Sequence, residues 1–237
     1  MNNECLYIVN LLTVQNIETY YASSQALFDV SLTINNGEVV ALMGRNGVGK
    51  STTIRSILNL TPAKTGNIEF KGKNIKGLAS YKTAQLGIGL VPEGRRCFAN
   101  LSVYENLIVT ARIGSWDVNK IYQLFPRLAE RKHQLAVTLS GGEQQMLAIG
   151  RALLTNSKLI ILDEATEGLA PLMRQEIWSA IHQLRDQGQS LLVVDKTLKE
   201  LLPVCNHCFI LEKGKTVWSG KPSNLDHDIK HRYLGIS

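Results

Sequence analysis

Glu38-Val39-Val40-Ala41-Leu42-Met43 runs directly into Gly44-Arg45-Asn46-Gly47-Val48-Gly49-Lys50-Ser51. The first part is a short, nearly continuous apolar run, as expected of a strand buried on both faces of a parallel sheet. The second fits G-x-x-x-x-G-K-[ST]. Behind it, Ile54, Ile57 and Leu58 fall on one face of a helix that Thr61-Pro62 stops. Strand, glycine loop and helix in that order curve successive backbone N–H groups around an anion. The helix N-terminus adds partial positive charge. The predicted chemistry is phosphate binding by Gly44, Arg45, Asn46, Gly47, Val48, Gly49, Lys50, Ser51 and Thr52, with Lys50 bridging terminal phosphates and the Ser51 hydroxyl ligating Mg²⁺. The bland alternative is a glycine turn with a chance lysine; the flanking elements argue against it.

The alternation continues on both sides of this stretch. Upstream, Thr13–Thr19 alternates loosely, and Ala26–Ile34 has a two-residue period through Leu27, Val30, Leu32 and Ile34. Asn35-Asn36-Gly37 makes a turn. Lys64–Lys76 reads as a hairpin or meander, and residues from about 88 to 153 read as helical. Downstream, Leu159–Leu162 and Leu191–Val194 are strand candidates. Between them lies a helix with Pro171 near its start, Met173, Ile177, Ile181 and Leu184 on one stripe, and Gly188 past its end. A helical stretch, Leu198–Val204, leads into an apolar strand, Phe209–Leu211. Strand–helix–strand alternation predicts an α/β fold with a parallel sheet.

Leu159-Ile160-Ile161-Leu162-Asp163-Glu164 supplies what a phosphate loop lacks. Ligands of α/β sheets bind beyond the C-terminal ends of the strands. Asp163 at that position is expected to hold Mg²⁺ through water. Glu164 can orient or deprotonate an attacking water. An apolar run ending in acids is weak by itself; joined to the glycine loop, it predicts ATP or GTP binding with hydrolysis.

Composition narrows the alternatives. The chain has 237 residues, 44% hydrophobic and 19% charged. That is ordinary usage, and it excludes a disordered chain or a disulfide scaffold. Runs such as Val39–Met43 fall far short of the roughly 20 apolar residues of a membrane span. Met1–Asn10 has no basic start and no long apolar core, so no signal peptide and a cytoplasmic location are expected. The surplus of 26 Lys and Arg over 20 Asp and Glu, +6 overall, admits nucleic acid, an anionic membrane surface or phosphate ligands. Cys205-Asn206-His207-Cys208 has redox or zinc spacing. It follows a helix rather than opening one, and no second Cys pair completes a zinc site. All four cysteines, Cys5 and Cys97 included, are therefore expected to be reduced and ordinary.

Leu139-Ser140-Gly141-Gly142-Glu143-Gln144-Gln145 precedes a helix with Met146, Ile149, Gly150 and Leu153 on one face. Ser140 and Glu143 form a capping box, and the bland reading stops there. Two glycines at a helix start also expose N–H groups, as an anion site does. With the two earlier motifs, this segment resembles the ABC transporter ATPase family, whose signature is LSGGQ. The resemblance runs from about Val14 to about Gly220. It implies one ABC ATPase domain over 1–237: a P-loop NTPase core from 1–88 and 154–237, with a parallel sheet and an N-terminal antiparallel β part. The segment 89–153 would be an inserted helical subdomain that carries the signature and meets membrane subunits. The resemblance further implies two ATPase subunits sandwiching two ATPs head to tail, so that Ser140, Gly141 and Gly142 touch the nucleotide of the partner. Tyr21 matches the aromatic that stacks on adenine, with Tyr20 the neighbouring alternative and strand packing the bland one.

Three positions depart from the general family pattern. In Val91-Pro92-Glu93-Gly94-Arg95-Arg96, Glu93 replaces the usual Gln; a carboxylate can still reach Mg²⁺ or water. Ala170 replaces the Asp of the D-loop. Lys196, in Val194-Asp195-Lys196-Thr197, stands at the switch-histidine position, where a permanent cation can pair with the γ-phosphate. These departures, with Leu101–Leu107 and the terminal Tyr233-Leu234-Gly235, resemble one subgroup: the second ATP-binding subunit of bacterial branched-chain amino acid importers. A sister group for urea and short amides more often keeps Gln at position 93. The subgroup implies a heterodimer with a sister ATPase and two integral membrane permease subunits. An external substrate-binding protein acts indirectly, and the chain has a peripheral place on the cytoplasmic face of the inner membrane. Arg95 and Arg96 are candidates to face the membrane partner or simply to be solvated. The first ten residues or so extend past the subgroup's usual start as a loose arm. A non-transport ABC ATPase acting on nucleic acid is the rival reading. Such proteins usually carry two cassettes or a coiled-coil insert, so no nucleic-acid partner is expected. Intact Lys50, Asp163 and Glu164 argue against a binding-only module.

Overall fold

A computed structural model describes residues 10–235. The antiparallel pair β1 (Asn10–Tyr21) and β2 (Ser24–Asn35) comes first, with Val14 opposite Leu32 and Ile17 opposite Val30. Next, β3 (Val39–Met43) leads through the glycine loop into α1 (Lys50–Ile57). The expected hairpin is β4 (Thr65–Phe70) and β5 (Lys73–Asn74), with β4 on β1. The chain continues through α2 (Ser80–Gln85) and β6 (Ile88–Val91). Four helices follow: α3 (Val103–Ile108), α4 (Val118–Leu124), α5 (Pro126–Glu130) and α6 (Gly141–Leu154). Then come β7 (Leu159–Asp163), α7 (Pro171–Asp186), β8 (Ser190–Val194), α8 (Leu198–Val204), β9 (His207–Glu212) and β10 (Lys215–Gly220).

The strands form one sheet in the order β5-β4-β1-β2-β10-β9-β3-β8-β7-β6. From β9 to β6 the pairing is parallel. Its strands are apolar throughout because both faces are covered. Val39, Ala41, Ile160, Leu162, Leu191 and Val193 pack toward α6 and α7. Val40, Leu42, Leu159, Ile161, Leu192 and Val194 pack toward Ile54 and Ile57 of α1. Each buried Val, Leu or Ile side chain here contributes about 1.5–3 kcal/mol. The antiparallel part joins this block through β10 and through a shared core, in which Leu27 and Val30 cluster with Val40 and Leu42. Lys215 of β10 pairs with Asp29 of β2, and the Thr216 hydroxyl accepts from Ser31 N (3.0 Å) while donating to Ser31 O (2.8 Å).

Two features differ from the sequence expectation. The segment expected to be helical from about residue 88 begins as strand β6, paired in register with β7. A four-residue apolar run carries no period that separates strand from helix, and sheet pairing decided it. The strand β10 had no sequence expectation. It owes its place to the antiparallel turn back onto β9. Cys208 is buried in β9, and Cys97 and Cys205 are partly buried free thiols. Cys5 and the N-terminal arm lie outside the described residues. Among the described residues, no helix is long and apolar enough to cross a membrane.

Candidate active site

The loop between β3 and α1 needs its glycines for shape. Gly44 has φ +140°, and a Cβ there would strike the Leu211 carbonyl oxygen and lie 2.8 Å from Val48 Cγ2. Gly49, at φ +110°, caps α1 without a side-chain bond, so the first-turn N–H groups have no side-chain acceptor. Lys50 is 7% exposed, and its ammonium donates to Gly44 O and Arg45 O, both at 2.9 Å. Burial lowers its pKa, while the Glu164 and Asp163 carboxylates oppose that shift. The loop opens on a cleft of about 550 Å³, lined by Asn46, Gly47, Gly49, Lys50, Ser51 and Thr52 and faced by Glu93, Glu164 and Lys196. Gly44, Arg45 and Val48 do not line this cleft; the first two hold Lys50 through their carbonyls.

Of the two tyrosines, Tyr20 lies under Lys64, 4.7 Å from ring centroid to ammonium. Tyr21 is 44% exposed at the end of β1, with its hydroxyl 3.4 Å from Thr52 Oγ1. Phe28 lines the cleft and is 42% exposed; the motif reading did not single it out. The signal was in the β2 alternation, which turns Leu27 inward and leaves a large aromatic on the outward phase.

Asp163 ends β7 and is 9% exposed. Burial, then the neighbouring Glu93, raises its carboxyl above the usual carboxylate range; a bond from Ser51 and the Lys50 cation oppose this. Its Oδ1 is buried with no hydrogen-bond partner among the described residues. An orphaned carboxylate oxygen beside a serine hydroxyl and a second carboxylate fits Mg²⁺, which takes hard oxygen ligands.

Glu164 sits in the left-handed region at φ +50°, with its N–H bonded to Val194 O at 2.8 Å. Such a conformation is costly for a side-chain-bearing residue and recurs at functional sites. Carboxylate oxygens of Glu93, Glu164 and Glu167 lie within 4.8 Å of one another. Lys196 Nζ is 2.6 Å from Glu167 and 3.3 Å from Glu164. The hydrogen bond with Glu167 raises the Glu164 carboxyl, burial adds to it, and Lys196 opposes it. The same contact with Glu164 and the closer Lys196 lower the Glu167 carboxyl. Asp195 fixes the arrangement: it accepts from Thr166 Oγ1 (2.6 Å) and from Thr197 N (2.9 Å), tying the loop after β7 to the loop after β8. Motif reading missed Glu167 and Asp195, which act through contacts between loops distant in sequence.

The capping box is present. Ser140 N donates to Glu143 Oε2 (2.8 Å), and Arg131 pairs with Glu143 at 2.6 Å. Ser140, Gly141 and Gly142 do not line the cleft of their own chain. Met173 of α7 packs on Gly142. Ala170 is exposed ahead of α7 and makes no capping bond. Arg95 is not a free surface arginine. Its guanidinium lies against Gly141 and donates to Gly168 O at 3.1 Å.

Comparison with known proteins extends these observations. The family model described as ABC transporter matches residues 27–167. The chain is 40% identical to the high-affinity branched-chain amino acid transport ATP-binding protein BraG of Pseudomonas aeruginosa, over 95% of this chain and all of the relative. It is 34% identical to the lipopolysaccharide export system ATP-binding protein LptB of Escherichia coli, covering 94% and 97% of the two chains. The crystal structure of the ADP conformation of an ATP-binding cassette of an ABC transporter superposes with a TM-score of 0.82 at 26% identity, over 96% of this chain and 99% of that one.

Proposed function

The chain belongs to the ABC transporter family of ATP-binding subunits, and on that premise we propose that its ATPase powers import of branched-chain amino acids across a bacterial inner membrane. As a member of that family it is an ATPase subunit of a transporter. The observation that carries the finer reading is the 40% identity to BraG over 95% of the chain, against 34% to LptB. Peripheral placement on the cytoplasmic face follows from the reading as an importer's ATPase subunit; among the described residues no helix is long and apolar enough to cross a membrane.

In the proposed mechanism, first-turn N–H groups of α1 and the Lys50 ammonium bind the phosphates, and Tyr21 or Phe28 packs on the base. Ser51, Asp163 and Glu93 would hold Mg²⁺, which when bound neutralises charge on the phosphate oxygens. Glu164 takes a proton from the attacking water as its oxygen bonds to the γ-phosphorus and the bond to ADP breaks. Lys196 leaves Glu167 to pair with the γ-phosphate. Ser140, Gly141 and Gly142 stand away from their own cleft, which supports the role the family resemblance implies for them: serving the nucleotide of a second ATPase subunit, a sister chain, seated head to tail. The helices between β6 and β7, inserted in the core, meet two permease subunits, which an external binding protein loads.

Co-expression with candidate permeases, followed by ATP-driven uptake in proteoliposomes, tests the substrate. Uptake of leucine, isoleucine and valine is expected. Uptake of urea or amides instead, or copurification with a lipopolysaccharide export assembly, would overturn the amino-acid reading and leave the ATPase intact.

A further inference from the structure

Between the first turn of α6 and the loops after β6 and β7 lies a cavity of about 390 Å³, lined by Glu93, Arg95, Gln145, Glu164 and Glu167 among others. Gln145 is 3% exposed, and its Nε2 has no hydrogen-bond partner among the described residues. A buried donor without an acceptor is disfavoured and rare in folded proteins. The acceptors across the cavity are the carboxylates used in the reaction. Closure of this cavity would offer the amide an acceptor.

Arg95 spans the same junction. Its backbone is held in the left-handed region, at φ +53°, an uncommon conformation for a long side chain. Its guanidinium reaches from Gly168 O, one residue past Glu167, to Gly141, where a Cβ would lie 2.5 Å from Cζ. A cation beside a helix N-terminus opposes the helix dipole, so this contact is not explained by its own electrostatics. An anion arriving at Ser140–Gly142 would draw the guanidinium toward itself and off the Gly168 carbonyl.

We propose that Arg95 and Gln145 are positioning residues that tie the signature turn to the catalytic carboxylates of the same chain, so that nucleotide at one site is felt at the other. The inference rests on the reading that Ser140–Gly142 serve the nucleotide of a second subunit. In Gln145→Met the volume is kept and the amide removed; in Arg95→Met and Arg95→Lys the reach is kept without and with charge. Three quantities are measured on the chain copurified with its sister ATPase subunit from the co-expressed transporter, over a range of protein concentrations: ATP affinity, melting temperature, and phosphate release against ATP. We expect unchanged ATP affinity and an unchanged or higher melting temperature for Gln145→Met. Its kcat should drop about tenfold, with the Hill coefficient falling toward one. Arg95→Met should behave alike and Arg95→Lys should recover most of the loss. A purely structural amide predicts the opposite, because replacing an orphaned buried donor with an apolar isostere raises stability and leaves turnover alone. Wild-type kcat and Hill coefficient in Gln145→Met and Arg95→Met would overturn the proposal. If wild-type turnover per chain is independent of protein concentration and non-cooperative, the two-subunit reading itself fails and takes the proposal with it.

Discussion

Replacing Lys196 by Met separates two jobs that one ammonium performs. It sits 2.6 Å from Glu167 and 3.3 Å from Glu164, with 47% of the side chain exposed. At those separations each pair is worth about 1–2 kcal/mol in bulk water. Exposed pairs deliver about 0.2–1 kcal/mol once side-chain ordering and salt are included. The loss of stability should therefore stay near about 1 kcal/mol, a shift of about 2–4 °C in a domain of this size. The loss of turnover should be much larger. A charged hydrogen bond to phosphate is worth about 1.5–3 kcal/mol, so kcat should fall about 10- to 100-fold. Phosphate release against ATP concentration, with a thermal melt of the same sample, reads both numbers. Lys196→His, which restores the residue usual in the family, should recover most of the rate. Turnover of Lys196→Met within about twofold of the parent would refute the assignment, leaving Lys196 as a local neutraliser of two carboxylates.

Three further outcomes are expected. Glu164→Gln should lower turnover about 100-fold or more while ATP-dependent association, followed by light scattering, persists; normal turnover would remove the general-base role. Glu143→Gln should keep the capping box but lose the pairing with Arg131, costing about 1 kcal/mol at pH 7. Burial favours the protonated Glu143, but the bonds from Ser140 and the Arg131 cation outweigh it and lower its pKa. That stability is present above the ordinary carboxylate range and is lost as pH falls through the lowered pKa, so parent and variant melting temperatures should converge on acidification. Gly44→Ala forces a Cβ against the Leu211 carbonyl at a left-handed φ, and should cost roughly 2 kcal/mol, visible as a lower melting temperature without nucleotide.

The site was legible where chemistry is contiguous in sequence. Gly44–Ser51, Asp163-Glu164 and the Ser140–Glu143 box each form within one turn between two elements, and local pattern specifies such turns. The parallel strands were legible for the same reason, since burial on both faces writes continuous apolar runs. Ile88–Val91 was not, because so short a run reads equally as strand or helix until a neighbour pairs with it. Phe28, Glu167, Asp195 and the inward turn of Arg95 were hidden for a different reason. Their roles come from segments brought together only by the sheet order, as when Thr166 meets Asp195 or Arg95 meets Gly168.

The seam between β2 and β10 has a consequence for how nucleotide preference can drift. Tyr21 and Phe28 stand on the antiparallel plate, whereas Asp163, Glu164 and Lys196 belong to the parallel plate. One ladder pair, the Gly214 carbonyl that accepts from Phe28 N and Asp29 N, and one threonine hydroxyl bridge the two strand sets, and beneath them Leu27 and Val30 share one apolar core with Val40 and Leu42. In the proposed reading the base packs on exposed side chains of one strand set while the phosphates meet carboxylates of the other, so substitutions at Tyr21 or Phe28 can retune the choice of purine without entering the core that both sets share.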